Sequence, residues 1–457
     1  MGENLVLNIE SKGFPIAVYN RTAERTRKFA DNLPKNSYAF ATYSIDEFLD
    51  SLESPRRILI MVKAGSGVDE VISVLAPKLS KEDVVVDGGN SYYLDTERRT
   101  RRLAEDGVLY LGIGISGGAQ GARKGPCLMV GGVKEGYALV ESILTKIAAQ
   151  LDDGPCSSYL GPGGAGHLTK IGHNGIEYAV LQIIAEAYDI LRNGLGFGIE
   201  EVQGVFQGWN AGDLSSYLMG AAAAVLGETD SDTGRPLVDL ILDKAGQKGT
   251  GKWFSQTAMD LGVPTPTIDA SVSARSISAY RDERLKASRL LNVPQRRFTA
   301  SEENLVEALH DAVYGSIIVS YAQGLALLKS ASNTYEYNIT LAEVCRIWRG
   351  GCIIRARLLD QIRGAYIQDA KLPNLLLDGH FASLLVGLQQ GWRDLAVEAR
   401  SLGIPCPAIN ASLDYFDSYR RHNLPASVIQ GIRDYFGAHG YERVDKPGQF
   451  HGDWLKD

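Results

Sequence analysis

The sequence has no cysteine pattern. Its five cysteines, Cys127, Cys156, Cys345, Cys352 and Cys406, are scattered and odd in number, with no CxxC and no His/Cys metal spacing. This excludes a disulfide scaffold, gives no metal centre, and fits reduced thiols in a cytoplasmic protein. There is no excess of positive charge either. The 47 Lys+Arg against 54 Asp+Glu leave a net charge of −7, which argues against nucleic acid or an anionic membrane as partner. No apolar run approaches ~18 residues, so no membrane span is expected. The first residues carry no signal-peptide pattern. What remains is ordinary: 457 residues, 45% hydrophobic and 22% charged, enough for two or three domains and a large core. Basic residues that serve a small anionic ligand must therefore be local.

The first ~160 residues alternate strand and helix, an α/β pattern. Strands are expected at Ile16–Tyr19, Ile58–Val62, Val84–Asp87, Val108–Leu111 and Leu128–Val130. Val68, Val71, Ile72, Leu75 and Leu79 form a helical stripe between them. Gly161-Pro162-Gly163-Gly164 marks a boundary. Beyond it long helices are expected at 167–194, 199–218, 236–246, 303–330, 341–363 and 381–402. This half repeats itself. Leu261–Ser271 (LGVPTPTIDAS) recurs at Leu402–Ser412 (LGIPCPAINAS), Trp209–Gly212 (WNAG) at Trp348–Gly351 (WRGG), and Ala185–Leu191 at Ala322–Leu328. All three pairs are displaced by about 140 residues, too long a period for a solenoid. A duplicated all-helical unit is expected, closed by a polar tail at Tyr441–Asp457. The domain limits are 1–163, 164–421 and 422–457.

The chain opens MGENLVLNIESKGFPIAVYNRT. A helical stripe of Leu5, Leu7 and Ile9 leads into the strand Ile16–Tyr19, like the second part of a nucleotide-binding βαβ unit whose first strand is missing. Met1 and Gly2 then stand where a GxGxxG fingerprint ends, with pyrophosphate on the helix N-terminus. The next strand ends in Asn20-Arg21-Thr22, not in the acidic residue that holds a ribose 2′-hydroxyl. A guanidinium suits a 2′-phosphate, so NADP is expected over NAD. MVKAG (Met61–Gly65, with Val62, Lys63 and Ala64) and DGGNS (Asp87–Ser91, with Asn90) end the next two strands, where ligands bind in such sheets. Ser116-Gly117-Gly118 offers a hydroxyl and N–H groups to an anion.

The densest set is KIGHNGIEY. Lys170, His173, Asn174, Glu177 and Tyr178 share one helix face. There a Lys and a Glu can serve as base and acid if burial moves their pKa values toward neutrality. His-Asn-Gly inside a helix is costly, which favours function over a solvated face. GQKGTGKW (Gly246–Trp253) nearly spells a P-loop, but Trp253 stands where Ser or Thr must bind Mg²⁺ and no strand precedes it. What is left is a glycine loop with Lys248 and Lys252. RDYFGAH adds Arg433 and His439 as a candidate phosphate clamp.

Together MGENL, YNRT, MVKAG, DGGNS, SGG, HNGIEY, GQKGTGKW, SARSIS and RDYFGAH, in this order along the whole chain, resemble the 6-phosphogluconate dehydrogenases, decarboxylating enzymes of the pentose phosphate pathway. The resemblance implies a Rossmann-type domain, a duplicated helical domain and a homodimer with interpenetrating tails. It implies that Asn20, Arg21, Thr22, Val62, Lys63, Ala64 and Asn90 line NADP. Lys170 would be the base for dehydrogenation and Glu177 the acid that protonates the product. Ser116, Gly117, Gly118, His173 and Asn174 would hold the sugar acid, also beside Asn90. Tyr178, Lys248 and Arg275, with Arg433 and His439 of the other subunit, would hold its phosphate.

The sequence departs from the family at Ala119-Gln120, usually two acidic residues, at Cys127 and Val130, usually Ser and Pro, and at Ala179-Val180. The absent first strand is expected to be an omission from the record, with upstream residues supplying it. The competing functions are a β-hydroxyacid dehydrogenase for a small unphosphorylated substrate and an inactive phosphosugar-binding scaffold. Lys248, Arg275 and Arg433 argue against the first, and intact Lys170 and Glu177 against the second.

Overall fold

A computed structural model of the chain describes residues 1–292 and 301–454, in two compact units, Met1–Ser412 and Leu413–Asp457. The first part alternates as expected: α1 (Gly2–Ser11), β1 (Ile16–Tyr19), α2 (Ala23–Ala30), β2 (Ala39–Thr42), α3 (Ile45–Asp50), β3 (Arg57–Ile60), α4 (Ser66–Leu75), β4 (Val84–Asp87) and α5 (Tyr93–Ala104). It continues with β5 (Leu109–Ser116), α6 (Gly118–Lys124), β6 (Cys127–Gly132), α7 (Lys134–Ile147), the short ladder of β7 (Gln150–Leu151) and β8 (Gly154–Pro155), and β9 (Ser157–Gly161). Five strands form one sheet in the order β3-β4-β5-β6-β9, with β6 antiparallel to β5. β1 and β2 pair parallel in a sheet of their own. The strands of the α/β part are therefore divided between two sheets, β1-β2 and β3-β4-β5-β6-β9.

The sheet packs on α1 and α7 through Leu5, Ile9, Val84, Val86, Leu111, Ile113, Val140 and Leu144. The stripe read for α1 needs one correction. Leu5 and Ile9 are buried, but the third buried residue is Asn8, not Leu7. Asn8 is tolerated because its amide donates to the Ala122 carbonyl (3.1 Å) and the Ile147 carbonyl (2.9 Å).

The helical part runs α8 (Ala165–Asp189), α9 (Ile199–Ala211), α10 (Tyr217–Leu226), α11 (Thr250–Asp260), α12 (Pro266–Ser278), α13 (Arg281–Leu290), α14 (Glu302–Thr334), α15 (Leu341–Trp348), α16 (Leu358–Gln368), α17 (Gly379–Leu402) and α18 (Pro407–Tyr419). α14 is long and apolar enough to cross a membrane by length and composition, but it is the buried core helix here.

Two expected helices, 199–218 and 341–363, are broken at matching places, after WNAG and after Trp348. The freed backbone is satisfied by the repeat itself. Ser216 bridges Ala356 antiparallel, with Tyr217 N–H on the Arg355 carbonyl and Arg357 N–H on the Ser215 carbonyl, both 3.0 Å. The helix expected at 236–246 is absent. Only a 3₁₀ turn forms at Leu237–Leu240, because Ile241 and Leu242 stay exposed and find no apolar surface to bury against.

In the second unit α19 (Ala426–Gly437) is followed by a hairpin of β10 (Tyr441–Glu442) and β11 (Gln449–Phe450). The closing segment read as a polar tail thus contains this hairpin, and 455–457 lie outside the described residues. Asp434 organises it. Its carboxylate accepts from Gly440 N–H (2.8 Å), Gly452 N–H (2.8 Å) and the Trp454 indole (2.7 Å), with His451 Nδ1 at 2.8 Å.

Candidate active site

α8 lies against β5 and β6 at a distance that only glycine permits. A Cβ on Gly114 would come within 2.5 Å of Lys170 Cβ. The approach buries what the sequence alone left open to solvent. Lys170 is 5% exposed, His173 0% and Asn174 6%. Gly175, which read as a functional oddity in a helix, has a packing cause: a Cβ there would sit 2.3 Å from the Phe254 ring of α11.

The Lys170 ammonium nitrogen lies 3.3 Å from His173 Nδ1, and Asn174 Oδ1 is 3.1 Å from the same nitrogen. His173 Nε2 is 2.8 Å from Ser116 Oγ, which ends β5. That hydroxyl also accepts from Ile353 N–H at 3.2 Å. Glu177 Oε2 stands 3.7 Å from His173 Nδ1, and the Trp348 indole meets the imidazole edge-on. Burial lowers the Lys170 pKa from its usual value, against the opposing pull of the Glu177 charge. This brings the amine toward the neutral form a general base needs.

Tyr178, one turn on, is buried under the Arg275 guanidinium, whose carbon lies 3.7 Å from the ring centroid. A Cβ on Gly251 would fall 2.5 Å from the same ring. The exposed Lys248 is three residues earlier, just ahead of Gly249, whose φ of +91° opens α11. Trp253 does not replace a metal-binding hydroxyl. Its ring packs tilted on that of Tyr92, with centroids 5.4 Å apart, and joins the helical part to the sheet part.

Gly117 (φ +114°) caps α6, and a Cβ on it would meet the Gly351 carbonyl at 2.6 Å. Gly118 faces open space. The WRGG repeat motif therefore also seats the Ser-Gly-Gly loop. The doubled glycine after Trp348 was the available signal, and repeat reading alone did not use it. Of the departures, Ala119 gives its carbonyl to Asn4 (3.0 Å), tying α6 to α1. Cys127 is fully buried opposite Ser116 in the β5–β6 pairing, and burial pushes its thiol pKa up. Val130 is buried in the core. All five cysteines are free and buried. Among the described residues no three His, Cys, Asp or Glu side chains are grouped to hold a metal.

The residues read for a dinucleotide lie at the carboxyl ends of β1, β3 and β4. Asn20 Oδ1 accepts from Thr22 N–H (3.0 Å), fixing the turn that presents Arg21. The Arg21 side chain is 89% exposed and among the described residues meets only the exposed Glu70, at 3.5 Å, a surface pair worth ~0–1 kcal/mol and easily exchanged for a phosphate. Met1 caps α1, and a Cβ on Gly2 would reach Met61 at 3.4 Å, so the positive end of α1 faces the 61–65 loop. Val62 and Lys63 are exposed, and Asn90 is exposed between buried Gly89 and Ser91. A guanidinium, a helix N-terminus and two open loops fit NADP.

The second unit holds the other two residues read from sequence. Arg433 donates to Gln430 Oε1 (3.0 Å), and the His439 ring packs against Phe436.

Two family models match in succession: the NAD binding domain of 6-phosphogluconate dehydrogenase over residues 1–161, and the 6-phosphogluconate dehydrogenase C-terminal domain over 166–454. The chain belongs to the 6-phosphogluconate dehydrogenase family. An NADP(+)-dependent decarboxylating 6-phosphogluconate dehydrogenase of Bacillus subtilis is 51% identical over 100% of this chain and 97% of its own length. The decarboxylating enzyme of Escherichia coli is 48% identical, again over 100% and 97%. A 6-phosphogluconate dehydrogenase structure from Plasmodium falciparum superposes with a TM-score of 0.96 at 42% identity, covering 99% of this chain and 98% of that one.

Proposed function

We propose that this chain converts 6-phosphogluconate and NADP to ribulose 5-phosphate, CO₂ and NADPH. The observation that carries the reading is the buried Lys170, its amine 3.3 Å from His173 and its pKa lowered by burial. Full-length similarity to decarboxylating, NADP-dependent relatives supports the substrate and cofactor.

The neutral Lys170 amine takes the proton of the substrate 3-hydroxyl. NADP, when bound, supplies a hydride acceptor for C3. The 3-keto acid then loses its carboxylate as CO₂, and the bond's electron pair moves toward the ketone. Lys170, now an ammonium, donates its proton to that oxygen. Glu177 protonates C1 of the enediol. His173 and Asn174 orient the sugar hydroxyls, and Ser116 fixes the imidazole. Ser116, Gly117, Gly118 and Asn90 hold the acid end, while Tyr178, Lys248 and Arg275 hold the phosphate. Asn20, Arg21, Thr22, Val62, Lys63, Ala64, Met1 and Gly2 line the cofactor.

We further infer a homodimer in which Arg433 and His439 complete the partner's phosphate site. In support, α19 exposes Val428, Ile429, Ile432 and Phe436, each more than half accessible, an apolar face that needs cover. Domain limits of 1–163, 164–421 and 422–457 go with this reading, as does a place in the cytoplasmic pentose phosphate pathway. The deciding test is incubation with 6-phosphogluconate and NADP. NADPH and CO₂ should form together, and a purified, folded chain that forms neither ends the proposal.

A further inference from the structure

α5 carries an arginine that its sequence disguises. TERRTRR looks like a solvated run, yet Arg99 is 2% exposed, on the buried face with Tyr93, Thr96 and Leu103. Its guanidinium is engaged along both edges. Nε and Nη2 donate to the two Asp69 oxygens at 2.8 and 3.0 Å. Nη2 also donates to the Gly65 carbonyl at 3.0 Å. Nη1 reaches Asp87 Oδ2 at 3.5 Å and Ser91 Oγ at 3.4 Å.

These partners belong to two loops. Gly65 ends the 61–65 loop, where its φ of +90° starts α4. Asp87 and Ser91 bound the 87–91 loop. Asp87 clamps that loop from within, accepting from Gly89 N–H (3.0 Å) and from the Ser91 hydroxyl (2.6 Å), with the Tyr110 hydroxyl on the same carboxylate at 3.1 Å. The loops also touch directly. A Cβ on Gly89 would lie 3.1 Å from the Val62 carbonyl.

We propose that Arg99 is a positioning residue for the cofactor: it staples the 61–65 loop to the 87–91 loop and so sets the gap between Val62–Ala64 and Asn90. The proposal rests on the reading of those residues as the NADP lining. A planar fork is the group that can do this. One face binds Asp69 in bidentate fashion, and the remaining N–H groups point to the two loops. An ammonium is a single point of attachment and cannot hold all three. Asp69 is the partly exposed anchor, with Arg98 on the same carboxylate at 3.0 Å.

The test uses the full-length enzyme with Arg99→Met, Arg99→Lys and Asp69→Asn. Two quantities are read: amide hydrogen exchange of residues 61–67 and 87–91 without cofactor, and the Kd for NADP. A lost charge-assisted hydrogen bond is worth about tenfold or more. Exchange in both loops should therefore rise at least about tenfold, with a similar weakening of NADP binding. Arg99→Lys should recover part of the loss in Arg99→Met. Should Arg99→Met not fold, Asp69→Asn decides, because that carboxylate is partly exposed. Unchanged loop exchange in folded variants overturns the staple. Faster exchange with an NADP Kd within twofold of the parent overturns the cofactor lining, and the functional half of the proposal with it. A lower melting temperature with both quantities unchanged assigns Arg99 a structural role only.

Discussion

Glu186 of α8 and Gln323 of α14 occupy equivalent places in the two copies of the repeat, and each caps a helix that belongs to the other copy. Glu186 accepts from Ala408 N–H (2.9 Å) and Ile409 N–H (3.0 Å) at the start of α18. Gln323 accepts from Thr267 N–H (3.1 Å) at the start of α12 and donates to the Thr267 hydroxyl at 2.9 Å. The exchange is sealed where Thr267 and Ser412 share a hydrogen bond of 2.8 Å. One cap titrates and the other does not.

That difference is measurable. Burial raises the Glu186 pKa to about 7, against the backbone donors that lower it. A carboxyl raised above its unfolded value contributes stability that is full below ~4.5 and lost as pH rises through about 7. The loss is about 3 kcal/mol at most. Glu186→Gln copies the other half's solution. Its melting temperature should be flatter from pH 5 to 8 than that of the parent, although lower at pH 5. Parallel pH profiles would refute the assignment.

Lys170→Met should remove dehydrogenation by ~10²–10⁴-fold or more while 6-phosphogluconate still binds. Calorimetric titration beside steady-state rates checks both parts. An unchanged kcat would show that another group takes the proton.

The Glu177 charge raises the Lys170 pKa against burial. Glu177→Gln should therefore move the acidic limb of kcat/KM to lower pH, since the amine then loses its proton more easily, while kcat itself falls with the lost acid. A limb that stays in place would mean that Glu177 does not act on Lys170.

Arg21→Ala should raise the KM for NADP and leave NAD use little changed, because the exposed guanidinium gives up a surface pair with Glu70 and little else among the described residues. Kinetics with both cofactors decide. Equal losses would make Arg21 a structural residue.

Mixing a Lys170→Met chain with an Arg433→Ala chain should restore part of the activity, since one of the two hybrid sites has both groups intact. Hybrids that form and remain inactive would show that the tail serves its own subunit.

Local periodicity made much of this legible. The five residues of the α8 stripe were found because a helix repeats every 3.6 residues, and the duplication because the motifs recur in order. What eluded the sequence depends on partners far along the chain. Ser116 meets His173 across the β5–α8 contact, and no spacing encodes that. β2 is four residues long with Phe40 exposed, so it gives no apolar alternation to detect. Asn8 and Arg99 are polar residues whose burial depends on acceptors far along the chain. The helices expected at 199–218 and 341–363 break after WNAG and after Trp348, and the pairing that stabilises each break lies in the other copy of the repeat.

α8 has 25 residues and is therefore about 37 Å long. Its first two turns, pinned to β5, carry Lys170, His173 stands in the third turn, and its last turn holds the other copy's helix through Glu186. It is one continuous rod with the proposed proton-transfer site near its N-terminal end. A substitution at Glu186, about 24 Å from Lys170 along the axis, acts on the same rigid rod that carries the amine. Disturbance of the far end is therefore expected to reach the alignment of His173 with Ser116, so that loss of the proposed activity would begin where no substrate atom is near.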